Sequence, residues 1–168
     1  MSRWHVEPLS EVARLVRGTE PGGDHYTSSE RGVRFLRVGD ITGKSDRPIF
    51  TDTDDLVYVT ADDVVLTVDG SPGAVSIGNV GAISSGLRRV DIVEPDRVSS
   101  DWVRYALMTS EVQATFSRYA KGLTILHASG ALPHIRIPVG RLRYRSVTGT
   151  RTIDIVRGSA PQTGATHS

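Results

Sequence analysis

The sequence predicts an α+β fold, a curved mixed β-sheet with an opening helix and one longer amphipathic helix. Three observations carry this. Six short β-rich runs between residues 33 and 93 are divided by Asp and Gly turns, the stretch from Ser99 to Gly122 repeats apolar side chains at helical spacing, and a second strand-rich part follows. At 168 residues the chain is long enough to bury a real core and too short for two large domains.

Leu9, Val12, Ala13, Leu15 and Val16 fall at helical spacing, with Gly18 placed as a C-terminal cap, so Leu9 to Arg17 is expected to be the opening helix. Thr19 to Gly32 is rich in Gly, Pro, Ser and Asp and is expected to be a long surface loop. VRFLRV (residues 33–38) alternates like a half-buried strand, which would put Arg34, Leu36 and Val38 on one face and Phe35 and Arg37 on the other. Gly39, Asp40 and Gly43 mark turns after it, with Asp40 as a structural cap. LVYVT (56–60), VVLTV (64–68), AVSI (74–77), VGAIS (80–84) and LRRVDIV (87–93) continue as a meandering sheet.

Ser99 and Ser100 suit a helix N-cap, and Asp101 meets the positive end of the helix dipole. The expected helix turns Trp102, Tyr105, Thr109, Val112, Phe116 and Tyr119 inward and ends at Gly122. LTIL (123–126) and HIRIPV (134–139) are expected strands with a turn through Ala128 to Ala131 between them. We divide the chain into a main domain over residues 1–145, a strand-like extension over 146–157 and a disordered tail over 158–168.

Hydrophobic residues make up 38% of the chain and no apolar run approaches the length of a membrane helix, so a membrane role is not expected. The N-terminus offers no signal-peptide pattern, and the expected compartment is the cytoplasm. With no cysteine, disulfide scaffolds, thiol catalysis and zinc ribbons drop out together. The net charge of +1 conceals two blocks. Asp40 to Asp69 holds eight acids against Lys44 and Arg47, and Arg104 to Arg157 holds nine bases against Glu111 and Asp154, which suggests an electrostatically two-sided molecule. Lys44 and Lys121 are the only lysines among twenty cations. Arginine suits phosphate and guanine edges, but a GC-rich genome produces the same bias.

The chemical motifs argue by their absence. GDITGKS (39–45) has three residues between its glycines where a phosphate-binding loop needs four. GSPG (70–73) lacks the spacing of a hydrolase elbow, so Ser71 is not marked as a nucleophile. His5, His25, His127, His134 and His167 show no paired spacing for a metal. Catalytic and metal-binding residues are therefore expected to be none, and no cofactor is expected.

Read in order, WHVEPLSEVARLVRG, VRFLRVGDITG, ADDVVLTVDGSPG, NVGAISSGLRRV and KGLTILHASGALPHIRIPV make a series over residues 4–139. The series resembles a single target recognition domain of a type I restriction-modification specificity subunit. The resemblance implies a non-catalytic, sequence-selective module that binds one half of a bipartite duplex DNA target in defence against foreign DNA. Its partners would be duplex DNA and a methyltransferase (modification) subunit, with the restriction subunit as a further candidate. S-adenosylmethionine and ATP would belong to those partners.

On these strings Lys44 and Arg47 are candidates for phosphate contacts, and Ser71 sits in a turn that either approaches a phosphate or simply closes a hairpin. Arg88 and Arg89 would point to opposite faces of a strand, so one of them could reach DNA. Lys121, Thr124, His127 and Ser129 form a polar series, in which His127 is either a DNA contact or a structural hydrogen-bonding residue. The chain has only one Asn, Asn79, so adenine reading would fall to Gln113, Gln162 or no evident residue.

The departures from the family pattern are equally specific. RLRYRSVTGTRTIDIV follows Gly140 where the family enters a long helix, and no heptad pattern appears. A half-subunit, a truncated copy and a reused recognition domain all fit. The alternative function is a protein-interaction module of a defence complex with no autonomous DNA binding, suggested by the modest net charge, the acidic block and the missing helices.

Overall fold

A computed structural model describes residues 5–140, 143–147 and 150–154. In chain order the strands begin with β1 (His5–Pro8), β2 (Ala13–Arg17), β3 (Tyr26–Thr27) and β4 (Val33–Leu36), followed by the short helix α1 (Val38–Thr42). Then come β5 (Ile49–Thr51), β6 (Tyr58–Val59), β7 (Val64–Thr67), β8 (Asp69–Gly70), β9 (Val75–Ser76), β10 (Gly81–Ile83) and β11 (Leu87–Ile92). Helices α2 (Ser100–Leu107) and α3 (Ser110–Tyr119) precede β12 (Leu126–His127), a 3₁₀ turn at Ser129–His134 and β13 (Arg136–Val139). A hairpin of β14 (Arg143–Val147) and β15 (Thr150–Asp154) ends the described part.

Two sheets lie at the centre, one ordered β2-β11-β7-β9 and the other β3-β5-β4-β10-β6. The second is mixed, because β10 runs parallel to β4 while its other pairings are antiparallel. Strand β7 shows why both sheets form. VVLT is buried at every position, with Val64 and Leu66 turned to a core shared with α2, α3 and β13, and Val65 turned to a smaller core of Leu36, Val59, Ile83 and Leu87. A run of unbroken apolar residues fits a strand covered on both faces. The order is thus helices, four-stranded sheet, five-stranded sheet. The single meander expected for residues 33–93 is corrected accordingly.

The opening helix is also corrected. Leu9–Glu11 is one 3₁₀ turn after Pro8, and Ala13–Arg17 is a strand that pairs antiparallel with β11, Leu15 opposite Val90. Nine residues with Leu9, Val12, Ala13 and Leu15 satisfy both periods, and the unpaired edge of β11 decides between them. Gly18 is required by close approach, not by a helix cap: a Cβ there would stand 2.2 Å from the Ser84 carbonyl oxygen.

The expected long helix starts where the sequence says. Ser99 Oγ accepts a hydrogen bond from the Trp102 amide at 3.1 Å. It then breaks into two at Met108 and Thr109, because Thr109 takes an extended conformation and donates its hydroxyl to the Ala106 carbonyl at 2.8 Å. In α2 the break turns Val103, Ala106 and Leu107 inward and leaves Tyr105 exposed, while Val112 and Phe116 of α3 are buried and Trp102 and Tyr119 pack against the core. Within the loop expected over Thr19–Gly32, β3 pairs with β5. The tail assigned to residues 158–168 lies outside the described residues, as does part of the extension over 146–157. No helix among the described residues is long and apolar enough to cross a membrane.

Candidate nucleic-acid interface

Four loops meet at one end of the two sheets and enclose an open cleft of about 1070 Å³. They are α1 with the segment to Ile49, the β8 hairpin, the Ser84–Gly86 turn and the segment around Ile125 and His127.

The first wall is fixed by Asp40. Its Oδ2 accepts a hydrogen bond from the Arg37 amide at 2.8 Å, closing the first turn of α1, while Oδ1 pairs with the Arg34 guanidinium. Burial opposes the charge on this carboxyl, yet the Arg37 amide and Arg34 outweigh it and hold it below the ordinary value of 3.8. Asp40 is the cap that the sequence suggested, reaching back three residues to the Arg37 amide. Its pairing also settles Arg34, and both Phe35 and Leu36 are buried where alternation alone would expose one of them. Gly43 ends the helix in the left-handed conformation at φ 72°. Lys44 and Arg47 emerge from the following segment, exposed.

The second wall is the β8 hairpin. Ser71 Oγ lies 3.5 Å from Lys44 Nζ, which ties the two walls together. The turn is held by the Gly73 amide, which donates to the Thr67 carbonyl at 2.9 Å, and by the Ala74 amide, which donates to Thr67 Oγ1 at 2.8 Å. The third wall comes from far along the chain. β12 pairs antiparallel with β8, setting His127 opposite Asp69 and Leu126 opposite Gly70, with His127 Nδ1 2.8 Å from Asp69 Oδ1.

Lys44, Arg47 and His127 therefore line one cleft with Ser71 beside it. Lys121 and Thr124 stand exposed on the loop that leads to His127, and Ser129 is exposed just beyond it. Arg88 and Arg89 do not join them. Arg88 is buried and donates to the Ser85 and Leu87 carbonyls, both at 2.8 Å, and its burial with Arg17 nearby lowers its pKa. Arg89 is held by Asp91 at 2.6 Å and by the Tyr58 carbonyl at 2.7 Å. Both guanidiniums are engaged within the fold, and neither lines the cleft. Gln113 is likewise structural, donating to the Gly73 and Leu107 carbonyls at 2.9 Å, and Asn79 donates to Ser76 Oγ at 2.9 Å.

The cleft is mixed in charge. Arg37, Lys44 and Arg47 line it together with Glu20, Asp46 and Asp69, so both signs of charge share one cleft. Glu20 is engaged by the Ser85 amide and hydroxyl, each at 2.8 Å. Sequence reasoning did not single out Glu20 or Ile125 as lining residues, since Glu20 is brought in by its bonds to Ser85 and Ile125 by the β8–β12 pairing. Among the described residues no group of three His, Asp or Glu side chains is placed to hold a metal.

No family model matches the sequence, and no curated protein matches it. Solved structures do. The chain is similar to a type I restriction-modification system S subunit from M. genitalium, with a TM-score of 0.63 and 19% identity, over 83% of this chain and 35% of that one. It is similar to the HsdS subunit from Thermoanaerobacter tengcongensis, with a TM-score of 0.60 and 20% identity, over 81% of this chain and 33% of that one. A third match, with a TM-score of 0.64 and 20% identity over 83% of this chain and 34% of the other, is to a structure describing complex assembly and conformational transition of the type I R-M system. The chain spans about a third of the length of these chains, the extent of one target recognition domain, and it has that domain's fold.

Proposed function

We propose that this chain is a non-catalytic, sequence-selective duplex DNA-binding module, acting as one half-site reader of a type I restriction-modification assembly. The observation that carries the reading is the cleft at the loop end of a target-recognition fold, where Lys44, Arg47, Ser71 and His127 converge from three separate parts of the chain. Lys44 and Arg47 supply phosphate contacts, which set affinity and register. Ser71 and His127, with Thr124 on the adjoining loop and Ser129 beyond it, supply groups for base edges, and Lys121 at the foot of that loop supplies a further phosphate contact. A cleft with both donors and carboxylate acceptors suits base reading better than a uniformly basic groove, which would bind any duplex alike.

The proposed partners are duplex DNA and a methyltransferase subunit, with the restriction subunit as a further one. Selection from randomised duplex DNA with the purified chain, sequenced at two salt concentrations, tests the reading. Enrichment of one short motif at both salts is the expected result. A folded protein that enriches no motif and shows no salt-dependent binding would overturn it in favour of a protein-interaction module.

A further inference from the structure

The loop between Lys121 and His127 carries side chains that the cleft does not explain. Leu123 is fully exposed, and Ile125 and Leu126 are 54% and 41% exposed. Three neighbouring apolar groups in water are an unfavourable arrangement unless something covers them. The loop is also built, not loose. Lys121 and His127 exchange both backbone hydrogen bonds, at 3.0 and 2.7 Å, and Leu126 and His127 are paired with β8. Gly122 sits at φ 131°, where a Cβ would lie 2.0 Å from the Ile125 carbonyl oxygen, so the bend is available to glycine alone.

Building on the DNA-binding reading above, we propose that the Gly122–Leu126 loop is an apolar wedge, with Leu123 at its tip, that inserts at a base step of the duplex held in the cleft. The surroundings of the tip favour this occupant. Lys121 stands at one foot of the loop, His127 at the other, and Ile125 joins Lys44 and Arg47 in lining the cleft. An apolar point with Lys121 at its foot and Lys44 and Arg47 lining the cleft beside it matches a base step, which is apolar between its stacked faces and flanked by phosphates. Three side chains on one loop are also far short of the area that a stable protein interface buries, about 800 Å² on each partner. Leucine and isoleucine belong to the side chains that wedge between bases and unstack them.

The test compares two mixed-sequence duplexes of equal length, one fully paired and one with a central mismatch, by fluorescence anisotropy at several salt concentrations. A mismatch has already lost stacking, so the native protein is expected to bind it about tenfold more tightly than the paired duplex. Leu123→Ala should abolish that preference and weaken binding to the paired duplex, while leaving the salt slope unchanged because no phosphate contact is lost. Leu123→Met should retain the preference. Leu123 touches nothing, so these variants fold. A native protein indifferent to the mismatch, or a Leu123→Ala variant that binds both duplexes like the native chain, would overturn the wedge while leaving the cleft reading intact. Binding of neither duplex, even at low salt, would overturn both. Leu123-dependent binding to phosphatidylcholine–phosphatidylglycerol vesicles, with no mismatch preference, would assign the tip to a lipid surface instead.

Discussion

Asp69 and His127, 58 residues apart, face each other across the β8–β12 pair with Oδ1 and Nδ1 2.8 Å from one another. This contact joins the acidic block of the sequence to the basic one and closes the third wall of the cleft. The imidazole is 61% exposed, so the bond contributes little to global stability. His127→Ala is therefore expected to lower stability by less than about 1 kcal/mol in denaturant titration. The same substitution should weaken duplex binding several-fold and speed amide exchange at Lys121 and His127, because the loop loses its latch while its backbone bridge remains. A large stability loss with unchanged DNA affinity would make His127 a structural residue only.

Arg88 and Arg47 should behave as opposites under the same substitution. Arg88→Ala removes a buried guanidinium and one of two donors to each of the Ser85 and Leu87 carbonyls, which keep Arg17 Nε and the Gly18 amide, a loss of about 2 kcal/mol. The variant's folded fraction should bind DNA as the native chain does. Arg47→Ala is exposed and should leave the melting temperature unchanged while weakening binding. Calorimetry beside anisotropy on both variants separates the two effects.

These two kinds of arginine show what the sequence discloses and what it withholds. Residues 64–68 and 87–93 read as strands because β-branched runs between Asp and Gly turns have few other uses, and Ser99 read as a cap because its hydroxyl has an amide to satisfy. Pairing is not written in the same way. Leu9 to Arg17 fits a helix until β11 offers an edge, and LTIL at residues 123–126 alternates like a strand although only Leu126 pairs. Periodicity reports which residues are apolar, not what they will meet. The cleft follows the same rule. Lys44, Arg47, Ser71 and His127 were visible as candidates in separate strings, but a two-residue strand pair is what brings His127 to the others, and Glu20 and Ile125 had no local mark at all.

Three exposed cations should account for most of the salt dependence of binding. Each phosphate neutralised contributes about 0.9 to the slope of log affinity against log salt. Alanine at Lys44, Arg47 or Lys121 should each reduce the slope by roughly that amount and weaken binding nearly equally for all sequences. Ser71→Ala removes a hydroxyl and no charge, so it should leave the slope alone and relax preference at one base position. A Lys44 variant with an unchanged slope would place that amine off the phosphate path, leaving its contact with Ser71 as its whole role.

Acid should unlock the first wall through Asp40. The carboxyl is held below its ordinary value of 3.8, so folding favours its charged form. Its stabilisation is fully present well above that value and is lost as pH falls through it towards the lowered one in the folded state. Asp40→Asn keeps the shape of the side chain but loses the charge that pairs with Arg34 and one acceptor for the Arg37 amide. It should be less stable than the native chain by about 2 kcal/mol at neutral pH. That gap should hold while the pH stays well above 3.8 and narrow as the pH falls through that value towards the lowered one, closing only once the native carboxyl is itself protonated. Urea titrations across this range read the gap directly. A gap that stays constant with pH would mean that Asp40 acts by packing alone, and that α1, with Lys44 and Arg47 beyond it, is positioned by something other than a charged cap.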